Sequence, residues 1–296
     1  MIKEEIMSST ISWDVSLIDA LARRQAVVML GAGVSRNSTN EHGMRPKTWK
    51  DFLETCANQL DKPNVVKSLI DKNDFLTACE LIKRSMARTK FDKLIKDEFN
   101  AGFVPAEIHE EIFKLDQAII ISPNFDSIYE TYARQKTNGS ILVKSYKDKD
   151  IAKYIRGGDN RLIIKSHGSA SDSNIIFTYL DYAQARVESA IFYEVLKSLA
   201  LTHTFLFIGC GINDPDIAII FEDIRFAHGD DLPEHYMTIP KEEVDTDIMN
   251  LVSSMRNIHF CEYDSTDGHS QLTKALIDLR YAVEERRNEI AKNQKW

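Results

Sequence analysis

The sequence predicts an α/β protein with a doubly wound, mainly parallel sheet and a helical insertion after its first strand. Three observations support this prediction: short apolar runs bounded by turn residues, helical periodicity between the runs, and polar or glycine clusters directly after four of them. All-apolar runs suit strands that are buried on both faces of a parallel sheet, and strands that alternate with helices favour an open doubly wound sheet. The 296 residues suffice for one large α/β domain, which we place at residues 1–296.

The predicted first strand, Ala26–Leu30, is an all-apolar run that follows a short helix over residues 15–23. It ends in Gly31-Ala32-Gly33, with Ser35 shortly after. Glycines here allow a tight turn and a close approach of the backbone to a pyrophosphate, while the next helix offers free N–H groups and its positive dipole end. Because Arg36 occupies the third glycine position of the G-x-G-x-x-G motif, a plain strand-to-helix turn remains the alternative.

A helical insertion is predicted at about residues 50–115, between the first two strands of the sheet. Apolar residues recur there at helical spacing, and no β-branched run bounded by turn residues interrupts them. The three apolar runs are Phe52, Leu53, Cys56 and Leu60; Phe75, Leu76, Cys79, Leu81 and Ile82; and Phe91, Leu94, Ile95 and Phe99.

The rest of the chain continues the alternation of strands and helices. Asp214 before Pro215 is typical of a helix start, and Gly229 is typical of a helix stop. Strands are predicted at residues 118–121, 141–143, 162–165, 205–208, 236–239 and 258–261, and helices ending near residue 132, over residues 189–202, from residue 215, and around residues 272–279.

Four of the predicted strands end in polar or glycine clusters, at residues 31–35, 122–126, 166–169 and 209–214. In open α/β sheets, ligands bind outside the carboxyl ends of the strands. The four clusters are therefore expected to converge on one crevice of a Rossmann-like sheet.

Composition excludes several classes of function. The net charge of −8 argues against direct nucleic-acid binding, which needs a basic surface. No apolar stretch is long enough to span a membrane, and the N-terminal residues lack the basic and then apolar segments of a signal peptide, so we expect a cytoplasmic protein. The four cysteines are scattered, without a C-x-x-C pair, and the histidines show no metal-ligand spacing, so we expect no metal.

The ordered motifs resemble those of sirtuins, and more closely the sirtuin-like NADase domains of bacterial antiphage defence systems, of the sirtuin/HerA or Thoeris-like kind. The resemblance extends from about residue 18 to residue 279. It rests on Gly-Ala-Gly-Val-Ser at 31–35, Ser-Pro-Asn-Phe-Asp at 122–126 with Glu130, Lys-Ser-His-Gly-Ser at 165–169, Gly-Cys-Gly-Ile-Asn-Asp at 209–214, the loop residues Gly43, Pro46 and Trp49, and His235-Tyr236.

The resemblance implies an NAD⁺ glycohydrolase that cleaves NAD into nicotinamide and ADP-ribose and so depletes NAD in antiphage defence. Members that deacetylate lysine use a zinc module with four cysteines, whose spacing this chain lacks, and this favours hydrolysis of the dinucleotide itself. Cys210 and Gly211 depart from the usual fourth motif. The resemblance also implies control by a partner or by oligomerisation, through a homo-oligomer and a HerA-type hexameric ATPase. The alternatives are a non-catalytic module that binds NAD or ADP-ribose, and a zinc-free protein deacylase.

Within this resemblance, Asn124 and His167 are the expected catalytic residues. An amide can orient a ribose hydroxyl or an attacking water, and a histidine can accept a proton near neutral pH. A turn-forming role for Asn124 and a structural role for His167 are the alternatives. The expected cofactor-binding residues are Gly31, Ala32, Gly33 and Ser35 at the diphosphate, Asp126 at the ribose or as support for the Asn124 loop, Gly209, and Asp214, which we expect to cap a helix first.

Overall fold

Seven strands form one sheet in the computed structural model, which describes residues 11–155, 161–172, 175–212, 214–229, 231–241 and 243–294. All neighbouring strands are parallel, and their order is β3-β4-β2-β1-β5-β6-β7 once the strands are numbered along the chain. The predicted fold class is thereby confirmed. The strands are β1 Ala26–Leu30, β2 Ile119–Ser122, β3 Leu142–Ser145, β4 Leu162–Lys165, β5 Thr204–Ile208, β6 His235–Pro240 and β7 Ile258–Tyr263.

Helices precede, connect and follow these strands in the described residues. Six of them lie between β1 and β2, and all but the first of these six fall where the sequence predicts the helical insertion. The helices are α1 Val15–Ala22, α2 Ala32–Ser35, α3 Trp49–Ala57, α4 Asn64–Asp71, α5 Phe75–Ser85, α6 Arg88–Phe99, α7 Glu107–Lys114, α8 Ile128–Lys136, α9 Tyr179–Glu188, α10 Ala190–Thr202, α11 Pro215–His228, α12 Thr246–Arg256 and α13 Ser270–Asn293, with a 3₁₀ turn at Ile151–Lys153. No described helix combines the length and the apolar character needed to cross a membrane.

The sheet is covered on both faces, and this explains the continuous apolar strand sequences. Along β1, Val28 and Leu30 belong to one apolar core with residues of α1, α7 and α13. Val27 and Met29 alternate with them and belong to a second core with α10 and α11. Because each strand residue meets a covered face, none of the five positions in β1 is exposed.

Helices α3 to α6, here called the helical module, have an apolar core of their own. It contains Phe52 and Phe91 from the module together with Phe177 and Phe125 from outside it. Phe177 meets Phe91 edge-on with ring centroids 5.0 Å apart, and Phe125 meets Phe99 edge-on at 5.4 Å. The module therefore packs directly against the loop that follows β2.

Two helices, α9 and α12, were not predicted. Their apolar residues do not all face the core: Leu180 and Val187 of α9 and Leu251 of α12 are exposed. This division weakens the apolar stripe from which amphipathic helices are recognised. A signal was nevertheless present, because Thr178 and Asp181 form a capping box at the start of α9.

Candidate functional site

The carboxyl ends of β1, β2, β4 and β5 lie side by side at the centre of the sheet, and hydrogen bonds join the four predicted clusters there. Gly31 N donates to Ile208 O at 2.9 Å, and Gly33 N donates to Gly209 O at 3.0 Å. The loops after β2 and β4 are joined in turn, since Ala170 N donates to Phe125 O at 2.8 Å. The clusters thus border one crevice at the carboxyl ends of these strands. Asn213, in the fourth cluster, lies outside the described residues.

The glycine turn is in close backbone contact with the end of β5. A Cβ atom on Gly31 would lie 2.1 Å from Gly209 O, and one on Gly33 would lie 2.8 Å from Gly209 Cα. Gly209 itself has a φ of +63°, which disfavours other residues. These glycines are therefore required by the packing of two chain segments, a reason that the motif alone does not reveal. Ala32 and Gly33 remain exposed to solvent.

Asn124 is half-buried and is fixed by its amide nitrogen. Nδ2 donates to Gly31 O at 3.0 Å and to Ser35 Oγ at 3.1 Å. These two bonds use both amide protons, whereas no donor in the described ranges is recorded at Oδ1. Asn124 therefore offers an acceptor, not a donor, to anything that enters the crevice.

Ser35 and Asp126 support this arrangement from within the protein. Ser35 Oγ donates to Asp126 Oδ2 at 2.7 Å, and Asp126 Oδ1 accepts from Ile128 N at 3.1 Å, at the start of α8. Both side chains are about 4% exposed. Of the two expected roles for Asp126, the geometry favours support of the loop that carries Asn124 over direct contact with a ribose.

A buried ion pair between Lys165 and Glu130 also supports the loop that carries Asn124. Lys165 Nζ contacts the Glu130 carboxylate and also donates to Asp126 O at 2.6 Å. Burial raises the pKa of Glu130, and the Lys165 charge opposes that rise. Both residues belong to the ordered motifs, although their sequence positions alone indicate no role for them.

Loss of the Lys165 charge should strongly destabilise the protein. The variant Lys165→Met leaves the Glu130 carboxylate buried without its partner, and we expect the free energy of unfolding to fall by about 3–5 kcal/mol. Urea denaturation followed by circular dichroism measures this loss. The control is Lys144→Met, which removes a more accessible pair with Asp150 and should change little. Equal losses in the two variants would contradict the role of the buried pair.

His167 follows β4 and is 5% exposed. Its Nε2 lies 3.4 Å from Asp216 Oδ2, and its ring meets Tyr182 edge-on with centroids 5.1 Å apart. Burial lowers the pKa of His167, but the carboxylates of Asp216 and Asp214 outweigh burial, so the pKa is raised overall. The imidazole is therefore a stronger base than a solvated histidine.

Asp214 caps helix α11, as expected for its first role. Its Oδ1 accepts from the backbone N–H groups of Asp216 at 3.0 Å and Ile217 at 3.2 Å. Burial also raises the pKa of Asp214. Neighbouring Cys210 is a packing residue, because burial raises the pKa of its thiol far above the range in which a thiolate forms.

Three features near the crevice bear on what it could bind. Arg36, which follows the glycine turn, has partners within the protein: it donates to Pro46 O at 3.2 Å and lies 3.9 Å from Asp51 Oδ2. A cavity of about 520 Å³ lies between the helical module and α9, with Phe91 and Ala170 in its lining and charges of both signs at its rim. In the part of the chain that is described, no group of His, Cys, Asp and Glu side chains is arranged to hold a metal ion.

Part of the crevice is formed by a sequence region that matches a known family model. Residues 118–261 match the family model described as a SIR2-like domain, and this range includes Asn124 and His167. The resemblance inferred from the ordered motifs is thereby confirmed, together with its relation to defence proteins.

Three relatives illustrate the match. An NAD(+) hydrolase ThsA from Enterococcus faecium is 24% identical over 227 residues, which cover 75% of this chain and 45% of the relative. Defense-associated sirtuin 2 from Bacillus subtilis is 22% identical over 265 residues, or 85% of this chain and 25% of the relative. An NAD(+) hydrolase ThsA from Cytobacillus dafuensis is 24% identical over 241 residues, or 77% and 46%. The chain thus spans less than half the length of each.

Proposed function

We propose that this chain, with its SIR2-like region and its similarity to NAD(+) hydrolases and a defence-associated sirtuin, is an NAD⁺ glycohydrolase that depletes NAD in antiphage defence. One observation carries the proposal. A fixed amide, Asn124, and a basic imidazole, His167, follow neighbouring strands within the region that matches the SIR2-like domain, and Asn124 is hydrogen-bonded to the glycine turn after β1. The proposal includes NAD as substrate, no metal, a cytoplasmic location, and gating through a homo-oligomer or a HerA-type ATPase partner.

The chemistry requires cleavage of the bond between nicotinamide and the ribose C1′. The bonding electrons leave with the pyridinium ring, which becomes neutral nicotinamide, and positive charge develops on the ribose as in glycoside hydrolysis. Water then adds to C1′ and gives up one proton, so that NAD⁺ and water yield nicotinamide, ADP-ribose and H⁺. The exposed turn at Ala32 and Gly33 would receive the diphosphate.

Two side chains have distinct tasks in this scheme. Asn124 Oδ1 would accept a hydrogen bond from a ribose hydroxyl or from the attacking water, because its Nδ2 is already bound to Gly31 and Ser35. His167 would take the proton that the water loses. The half-buried position of Asn124 and the burial of His167 would limit the access of other water molecules.

The direct test is release of nicotinamide and ADP-ribose from NAD, measured by chromatography with the protein alone and with the product of its neighbouring gene. We expect equal amounts of the two products from the active assembly. The variant Asn124→Ala should lose this activity, whereas Asn58→Ala, at an exposed helix end, should keep it. Tight NAD binding without products in every assembly would instead indicate a binding module, and NAD-dependent removal of acetyl groups from a lysine peptide would indicate a deacylase.

A further inference from the structure

Asp216 is a buried carboxylate to which the chemistry above assigns no task. It is 3% exposed and lies at the start of α11. Tyr193 OH donates to its Oδ2 at 3.2 Å, His167 Nε2 lies 3.4 Å from the same oxygen, and Arg186 Nη1 lies 3.9 Å from Oδ1. Capping of the helix does not explain this burial, because the side chain of Asp214 already serves as the cap.

We propose that Asp216 is a positioning residue that orients the His167 ring through Nε2 and leaves Nδ1 as the nitrogen that accepts the proton. The reaction in this inference is the one under "Proposed function", on which the inference rests. The contact between Asp216 and His167 is observed in the structure and does not depend on that function. It adds a residue of α11 to a catalytic pair that the sequence motifs place after β2 and β4.

The tautomer follows from the chemistry of the contact. An ionised carboxylate only accepts hydrogen bonds, so the ring nitrogen that faces Asp216 must carry the proton. A neutral imidazole has one N–H, and Nδ1 therefore keeps a lone pair. No donor to Nδ1 is recorded in the described ranges of the chain. When Nδ1 takes a proton, the resulting imidazolium remains in contact with the Asp216 carboxylate, which stabilises its charge.

Other charged and titratable groups also surround His167. Asp214 at the start of α11 adds a second negative charge, and Lys165 on the strand of His167 opposes it. Tyr182 of α9 contacts the ring directly. Tyr193 of α10 and Arg186 of α9 lie next to Asp216, on which both of them act. Because Lys165 is paired with Glu130, the two carboxylates dominate, in agreement with the raised pKa of His167.

The first test compares NAD hydrolysis by the parent and by Asp216→Asn as a function of pH. The rate should rise with pH as His167 loses its proton, and Asp216→Asn should shift this rise by about one pH unit or more towards lower pH. We also expect kcat to fall by about 10²-fold, with little change in KM, because an asparagine can present either an oxygen or an N–H to the ring. The control, Asp223→Asn, removes an exposed carboxylate from the same helix and should match the parent.

A second measurement does not depend on catalysis. Nitrogen NMR of the imidazole, assigned with His167→Gln, reports the pKa and the tautomer of His167 without NAD. Asp216→Asn should lower that pKa and mix the tautomers. Tyr193→Phe, which keeps the carboxylate but removes one of its donors, should raise the pKa, and it serves if Asp216→Asn does not fold.

The two experiments separate the two proposals. A parent protein that releases no nicotinamide in any assembly contradicts the proposed function, yet its His167 resonances still test the Asp216 contact. An unchanged pKa and tautomer in Asp216→Asn, or in Tyr193→Phe where that variant replaces it, overturns the positioning role even if the parent hydrolyses NAD.

Discussion

Replacing His167 with alanine is expected to slow the release of nicotinamide from NAD by about 10²–10⁴-fold, the range that general base catalysis contributes. The imidazole is the buried base beside the crevice, and the two carboxylates near it raise its pKa. The variant would lack the base to which we assign the proton of the attacking water. Single-turnover measurement of nicotinamide at saturating NAD isolates this chemical step.

The matched control for this variant is His228→Ala, which removes an exposed histidine from the last turn of α11. It should hydrolyse NAD at the rate of the parent. Thermal denaturation of both variants shows whether each is folded. A folded His167→Ala variant that hydrolyses NAD as fast as the parent would refute the assignment of this residue.

Replacing Gly31 with alanine should destabilise the fold more than other small substitutions at the crevice. The added Cβ would lie 2.1 Å from Gly209 O, a backbone atom that cannot move aside as a flexible side chain can. Overpacking costs about 1–3 kcal/mol, and we expect a loss of about 3 kcal/mol in the free energy of unfolding because two strand ends must separate.

Gly211→Ala is the control for this substitution, since nothing lies within 4 Å of its added Cβ. Its effect on the free energy of unfolding should stay within about 0.5 kcal/mol. Urea denaturation of the two variants provides the comparison. If they are equally stable, contact between the glycine turn and the end of β5 is not what requires glycine at position 31.

The strands could be predicted from the sequence because the sheet is buried on both faces. Each strand then appears as a short apolar run, and all seven observed strands coincide with predicted ones to within a few residues. Helices α9 and α12 expose part of their apolar surface, so the periodic signal was weaker there. Capping residues identify a helix start whatever its packing, and Asp214 was assigned correctly for that reason.

Those site residues that directly follow a strand could be predicted from the sequence. Asn124 and His167 stand at such positions, and the order of the parallel strands brings them to neighbouring loops. Asp216 was missed because an aspartate in the first turn of a helix resembles an ordinary dipole-stabilising residue. Its contact with His167 joins residues 49 positions apart, and only the tertiary structure reveals that distance.

Phe125 connects the helical module to the loop that carries Asn124. It stands between Asn124 and Asp126 in the chain, yet its ring is packed among the aromatic side chains of the helical module. A single peptide unit therefore separates the backbone of Asn124 from a side chain that is packed into the module. Any displacement of helices α3 to α6 relative to the sheet would act on the backbone next to the Asn124 amide.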